Sequence, residues 1–344
     1  MPGVSLNEVA REAGVSPGTA SRALAGKGRV APETIARVRE IADRLGYTPD
    51  ALGKALREGT SQSVGMIVPH LENPFFAHLV RAVESQLHRR GFQLIVADSH
   101  ADVEVETRRL RLLQASRVDG IVIIPAWLSG SAPAISRTAR DLPLVQIDRA
   151  AGPDVADFVG VDNAIGMNLV VEHLISQGAR TAMFVGGDDA TSPGIERAAH
   201  FRDAAERHGL EVLATVRHQF TLQTGRDAVR QLPSRLDSIV CGDDLIALGA
   251  IGGLTRSGIR VPQDVLLTGF DGTLLAQAVE PSLTTVDQPV DQIAERAITM
   301  LMSRRDGGSA AEPEQVHLAP SLLIGRSSVA DDSEAAAQLD TGRA

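Results

Sequence analysis

Four short clusters in this 344-residue chain carry groups suited to holding a small hydroxylated molecule. Asn73-Pro74-Phe75-Phe76 joins an amide to two aromatic rings, Asp148-Arg149 sets a carboxylate beside a guanidinium, Asp243-Asp244 pairs two carboxylates, and Asp271 follows Phe270. Each comes after a short apolar run, where the C-terminal end of a parallel strand offers side chains to a ligand. A polyol needs a flat apolar surface for its C–H face and charged, bidentate partners for its hydroxyls, and this set contains both. Catalysis finds no comparable support. Phe270-Asp271-Gly272-Thr273 has the outline of an aspartate-nucleophile phosphatase loop, but Gly269 stands where the attacking carboxylate belongs. The chain has no Walker A lysine, no G-x-G-x-x-G after Gly186-Gly187, and no H-x₃-H pair with a carboxylate at zinc spacing. The expectation is a binding protein and not an enzyme, with no cofactor and no metal.

The elements that must position these residues are short Val/Ile-rich runs alternating with amphipathic stretches, the pattern of βαβ units and a parallel sheet. Strands are expected at 64–68, 93–97, 120–124, 144–147, 182–185, 238–240 and 265–269. A helix over 76–90 carries Leu79, Val83 and Leu87 on one face and closes at Gly91, and 162–178 repeats the design. Two successive α/β halves of about 130 residues are more economical than one sheet of ten or more strands, and they imply a cleft between two lobes.

The first sixty residues have another texture. Ser5-Leu6-Asn7-Glu8 is a capping box, Gly14 marks a tight turn, Ser16 caps a second helix opening on Pro17, and Ile35, Val38, Ala42 and Leu45 give a third helix over 32–45 its apolar face. Charge divides along the same line: residues 1–60 hold nine basic side chains against seven acidic ones, +2, while the whole chain is −9 and the remaining 284 residues are therefore −11. A uniformly basic nucleic-acid coat is excluded, and two parts with different tasks are implied. One cysteine, Cys241, forms no intrachain disulfide. The start lacks the apolar core of a secretory signal, and no apolar run approaches a membrane span, so a cytoplasmic protein without membrane association is expected.

The string from Val4 to Arg22, VSLNEVAREAGVSPGTASR, resembles the headpiece of the lac-repressor (LacI/GalR) family of transcription regulators, and the likeness continues through Gly46-Tyr47-Thr48-Pro49 and the body to about Ser328. The resemblance implies a small all-α helix-turn-helix headpiece (1–48), a hinge helix and linker (49–62), an α/β body of two doubly wound parallel-sheet lobes (63–329) that binds effector and dimerises, and a disordered tail (330–344). It places residues Pro17, Gly18 and Arg22 in the major groove, and of these Arg22 alone can donate a bidentate pair to guanine. Ser5, Leu6, Ser16, Thr19, Ser21 and Arg29 fall on its other DNA-contacting positions, where contacts set register rather than sequence. Leu56 matches the hinge residue that wedges into a minor-groove step, and Gly53 keeps that hinge a poor helix. Ala25 and Ala31 depart from the family, where Asn and Ser are common.

The body also resembles the periplasmic ribose-binding protein, which shares the fold. The likeness puts Asn73, Phe75, Phe76, Asp148, Arg149, Arg197, Phe220, Asp271 and Gln288 on its sugar-binding positions, with Asp243 where that protein has Asn. The implied partners are a near-palindromic operator duplex, a small effector such as ribose or another monosaccharide, and further copies of the chain in a homodimer or tetramer. A nucleoside or purine effector, and a sugar-binding protein with no DNA role, are the alternatives.

Overall fold

The computed structural model describes residues 4–26, 30–47, 60–307 and 312–329, in two compact units that divide after Ser61. The hinge with Leu56 and Gly53, the basic residues Lys27 and Arg29, and the tail 330–344 lie outside the described residues.

In the first unit three helices form around small apolar side chains: α1 (Leu6–Glu12), α2 (Pro17–Ala25) and α3 (Pro32–Leu45). The capping box at the start of α1 is complete, with Glu8 N–H donating to Ser5 Oγ and Ser5 N–H donating to Glu8 Oε2 at 2.7 Å. Ser16 accepts from Thr19 N–H to cap α2, whereas Ala31 leaves α3 without a side-chain cap. Val9, Ala10, Ala13, Ala20, Ala23, Val38, Ile41 and Ala42 are buried together, and Leu6 packs partly against them. Alanines at the crossings let the helices approach closely.

The second unit contains two six-stranded sheets. Sheet one runs, from edge to edge, β11 (Gln315–Leu318), β5 (Asp157–Val161), β4 (Leu144–Ile147), β3 (Gly120–Ile123), β1 (Ser63–Val68), β2 (Gln93–Asp98), with every pair parallel. Sheet two runs β12 (Ser321–Leu323), β10 (Thr284–Asp287), β9 (Leu266–Asp271), β8 (Ser238–Cys241), β6 (Thr181–Gly186), β7 (Glu211–Arg217), and only β12 is antiparallel to its neighbour. Central strands are buried on both faces, so their sequence is continuously apolar while their side chains still alternate. Val122 and Ile124 enter one core with α4 (Pro74–His88), and Ile121 and Ile123 enter another with α5 (Val103–Ala115) and α6 (Leu128–Asp141). Gly65 on β1 leaves its space to Leu113, whose Cδ1 would lie 2.6 Å from any added Cβ.

The lobes are not two successive halves, which corrects the sequence expectation. After β5 the chain crosses to sheet two, where α7 (Asn163–Ser176), α8 (Ser192–His208), α9 (Leu222–Ala228), α10 (Asp244–Arg256) and α11 (Leu274–Ala278) follow. It then returns through α12 (Val290–Arg305), whose Val290, Ile293, Ala294, Ala297, Ile298 and Leu301 complete the core of sheet one. β11 pairs with β5, and β12 crosses once more to pair with β10. Three connections therefore join the lobes. The amphipathic 290–305 stretch looks in sequence like any other sheet-covering helix, and nothing in its pattern says which sheet it covers. Among the described residues no helix is long and apolar enough to cross a membrane.

Leu301 is 1% exposed and lies against Gly120 of β3. Leu301→Ala removes a core side chain of sheet one and is expected to cost about 2–5 kcal/mol in denaturant unfolding. A change below about 0.5 kcal/mol would contradict the placement of α12.

Candidate functional site

The strands of both sheets end on one cleft, because parallel strands all present their C-terminal ends to the same side. Asn73 caps α4 after β1, Asp148 and Arg149 follow β4, Asp243 follows β8, Asp271 ends β9, and Gln288 follows β10. Arg197 and Pro193 come from α8, and Phe220 from the loop after β7. The cleft encloses a chamber of about 260 Å³, its mouth included, lined by Asn73, Phe75, Phe76, Asp148, Arg149, Pro193, Arg197, Phe220, Asp243 and Asp271. Of the residues expected from sequence only Gln288 does not line it. Gln288 sits beneath, donating Nε2 to Asp271 Oδ1 at 2.8 Å. Pro193 was not anticipated, since its apolar ring at a helix start carries no chemical signal.

Charge is concentrated here to an unusual degree. Asp148, Asp243, Asp244 and Asp271 are buried beside the two buried guanidiniums of Arg149 and Arg197. Arg197 is held on several sides: Nε donates to Asn163 Oδ1 at 3.0 Å, and Nη1 donates to Gly242 O at 2.7 Å and to Asp271 Oδ1 at 3.3 Å. Its guanidinium carbon lies 3.7 Å from the centre of the Phe270 ring. Arg149 lies 5.3 Å from the centre of the Phe76 ring and donates to Ala126 O. The N–H of the same residue donates to the buried Glu106 Oε2 at 2.7 Å, so Glu106 and Arg149 grip Ala126 from both sides.

The Asp243-Asp244 pair divides its work in a way the sequence did not reveal. Asp243 caps α10, accepting from Ile246 N–H at 2.7 Å. Asp244 instead accepts from Thr273 N–H, Thr273 Oγ1 and Thr285 Oγ1, tying α10 to β10. Asp162 does cap α7, accepting from Ala164 and Ile165. Two site carboxylates stand on left-handed backbone, Asp148 at φ 61° and Asp271 at φ 114°. Such strain in non-glycine residues concentrates at functional sites, where it fixes a side chain's direction.

Burial raises all four carboxyls above their ordinary values, and it outweighs the neighbouring guanidiniums. Asp243 is pushed up to about 7 by burial, against the Ile246 N–H, and Asp244 to about 6 by burial, against its threonine donors. Burial also lowers Arg149, against the pull of Asp148. Asp148 Oδ1, Gln288 Oε1 and Arg149 Nε make no hydrogen bond among the described residues, an expensive condition for buried polar atoms. Arg149 Nε lies 3.9 Å from Asp148 Oδ2, close enough for an ion pair but not for a hydrogen bond. Among the described residues no group of three or more His, Cys, Asp and Glu side chains is placed to hold a metal ion.

In the first unit, Ser16, Pro17, Gly18 and Arg22 are exposed along the start of α2. The Arg22 guanidinium reaches back over the first turn, 3.4 Å from Thr19 Oγ1 and 3.6 Å from where a Cβ on Gly18 would stand. A side chain at position 18 would meet Arg22 only at ordinary van der Waals distance. The hydroxyls of Ser16 and Thr19 lie 2.9 Å apart and Ser5 is occupied with Glu8, so each serves a helix start before it serves any partner. Ser21 and Leu6 are both half-buried, and Leu6 packs against the core.

Residues 5–50 match the family model described as bacterial regulatory proteins, lacI family, and residues 171–329 match a periplasmic binding protein-like domain. Over 334 residues the chain is 33% identical to the HTH-type transcriptional repressor PurR of Serratia proteamaculans, covering 95% of this chain and 97% of that one. It is also 33% identical over 307 residues to the ribose operon repressor of Escherichia coli, covering 87% and 92%. The lac repressor dimer bound to operator and an anti-inducer has the same fold, with a TM-score of 0.85 at 23% identity over 95% of this chain and 99% of that one. The complex of the transcriptional regulator CelR with cellobiose matches with a TM-score of 0.71 at 28% identity over 94% and 99%.

A carboxyl raised on folding binds its proton more tightly in the native state, so stability is greatest below its unfolded value and is lost as pH rises through its folded value. For Asp243 that window runs from about 4 to about 7. Asp243→Asn keeps a side chain able to cap α10, and its advantage in melting temperature over the parent should grow across that window, reaching on the order of 1 kcal/mol or more above pH 7. A constant difference from pH 4 to 8 would contradict the burial of this charge.

Proposed function

The chain belongs to the lacI family of bacterial regulatory proteins and is a DNA-binding transcriptional repressor; on that premise, we propose that its effector is a small polyol, a monosaccharide of the size of ribose, held in the inter-lobe chamber. The observation that carries this reading is the pairing of excess buried carboxyl with unsatisfied acceptors. Asp148 Oδ1 and Gln288 Oε1 need donors, Arg149 Nε needs an acceptor, and hydroxyl groups supply both. The Phe75, Phe76 and Phe220 rings supply the flat apolar surface for the sugar's C–H face. The names of two relatives, one a purine-type repressor and one a ribose operon repressor, leave both chemistries in view, and the carboxyl excess favours the ligand richer in donors.

The reader of DNA is the exposed start of α2, with Arg22 making the base contact and the Ser16 and Thr19 hydroxyls at the phosphates. One headpiece offers few contacts, so two copies of the chain act together on a near-palindromic duplex. Effector held between the lobes alters the free energy of presenting both headpieces at once. A coupling of about 1–3 kcal/mol changes operator affinity by about 5- to 150-fold.

A melting panel of pentoses, hexoses, nucleosides and purines tests the effector class, since a ligand at about 100 times its dissociation constant stabilises by about 2.7 kcal/mol. A pentose or hexose is expected to raise the melting temperature; a shift by free purines alone would overturn the polyol reading. Arg22→Ala should relax base preference at one position per half-site, with a loss of about 1–3 kcal/mol in discrimination. Unchanged preference in a randomised-operator selection would remove Arg22 from that role.

A further inference from the structure

A second chamber adjoins the first. It shares Asn73, Phe76, Arg149 and Phe220 with the inner one and measures about 1020 Å³, its open mouth included. Trp127 lines it from the sheet-one lobe, and Gln219 and Leu222 line it from the other. The indole is fixed in place: Nε1–H donates to Ala101 O at 2.8 Å, and the Trp127 backbone N–H donates to Ser131 Oγ at 3.1 Å. Leu222 opens the first turn of α9 with 41% of its surface exposed, adding apolar area to the same space. One hydrogen bond close by ties the lobes together at this level, from Leu128 N–H to Ala190 O at 2.7 Å.

We propose that this outer chamber is a second subsite, built for a planar or apolar substituent on the sugar held inside, so that a monosaccharide carrying such a substituent binds more tightly than the free sugar. The proposal rests on the reading of the inner chamber as a polyol site. The inner space is much the smaller of the two, about 260 Å³ against about 1020 Å³ with their mouths included, so a two-ring molecule extends beyond it. The wall common to both chambers consists largely of the Phe76 and Phe220 rings and the Arg149 guanidinium, flat groups that pass and stack against a flat substituent. Beyond them stands a fixed indole plane, with the Gln219 amide on the same lining to meet polar edges of the substituent. A substituent touching Trp127 on one lobe and Leu222 on the other adds contacts made only when the lobes are together. The free sugar makes none of these.

Trp127 is the only tryptophan in the chain, so its emission reports this chamber directly. Full-length protein is titrated with D-ribose, D-xylose, their phenyl β-glycosides, adenosine and adenine, followed by melting temperature and tryptophan emission. A substituted sugar is expected to bind at least about tenfold more tightly than the parent sugar and to change the emission, while the parent sugar raises the melting temperature with little change in emission. Trp127→Ala should weaken the substituted sugar on the order of tenfold, as loss of an aromatic stacking partner does, and leave the free sugar within about twofold. Trp127→Phe retains a ring and should keep most of the affinity. Leu222→Asn gives the same comparison from the second lobe should Trp127→Ala fail to fold. Substituted sugars binding no tighter than free ones, or Trp127→Ala weakening both alike, would overturn the outer subsite and leave the polyol site standing. If no sugar, free or substituted, raises the melting temperature, the polyol reading fails, and the subsite proposal with it; stabilisation by adenine alone has the same result.

Discussion

Four carboxyl groups and two guanidiniums share a space from which most water is excluded, and the architecture of the body follows from keeping them there. Removing charges from water costs several kcal/mol per ion unless geometry and hydrogen bonding repay it. The repayment is unequal in this molecule. Arg197 is satisfied by Asn163, Gly242 and Asp271 and lies over Phe270, and Asp244 by two threonines, whereas Asp148, Arg149 and Gln288 each retain an atom without a hydrogen bond. The satisfied groups form the frame. The unsatisfied ones are where the proposed ligand would bind, and a ligand that completes them would relieve a cost built into the folded chain.

Placing such groups together requires a topology that brings the ends of separate strands to one cleft, and the crossing pattern does so. Because α12 returns to the first sheet and β12 to the second, each lobe is closed by a segment distant in sequence. Lobe movement is thereby confined to three connections rather than one, and the connection after β10 carries Gln288, which bonds to Asp271. Gln288 thus sits on one of the three segments that join the lobes.

Much of this was legible in the residues themselves. The seven expected strands are present, each extended or trimmed by no more than two residues at an end, because buried parallel strands are continuous apolar runs bounded by polar turns. The capping box at Ser5, the Ser16 cap and the left-handed glycines Gly26 and Gly46 are local signals needing no tertiary information. What escaped was non-local or weakly patterned. β7 has alternating burial on a sheet edge, β5 lies in DFVGV between polar stretches, and β10, β11 and β12 are short and rich in Thr, Gln or Ser. In the site, residue type announced the charged and aromatic groups, but not that Asp243 caps while Asp244 ties α10 to β10, nor that Trp127 and Glu106 stand behind Arg149. Those roles depend on which neighbours the fold supplies, and spacing along the chain does not encode them.

The claim that polyol hydroxyls complete an over-acidic chamber has one direct consequence. Hydroxyls that donate to a carboxylate favour its charged form, so binding should drive a proton off the chamber-lining carboxyl that burial holds near neutral pH, Asp243 at about 7. Titration calorimetry of the full-length protein with its sugar ligand, at pH 6.5 in buffers of different ionisation enthalpy, counts the protons released. Net proton release on binding is the predicted result; binding with no proton exchange, or with proton uptake, would contradict the account.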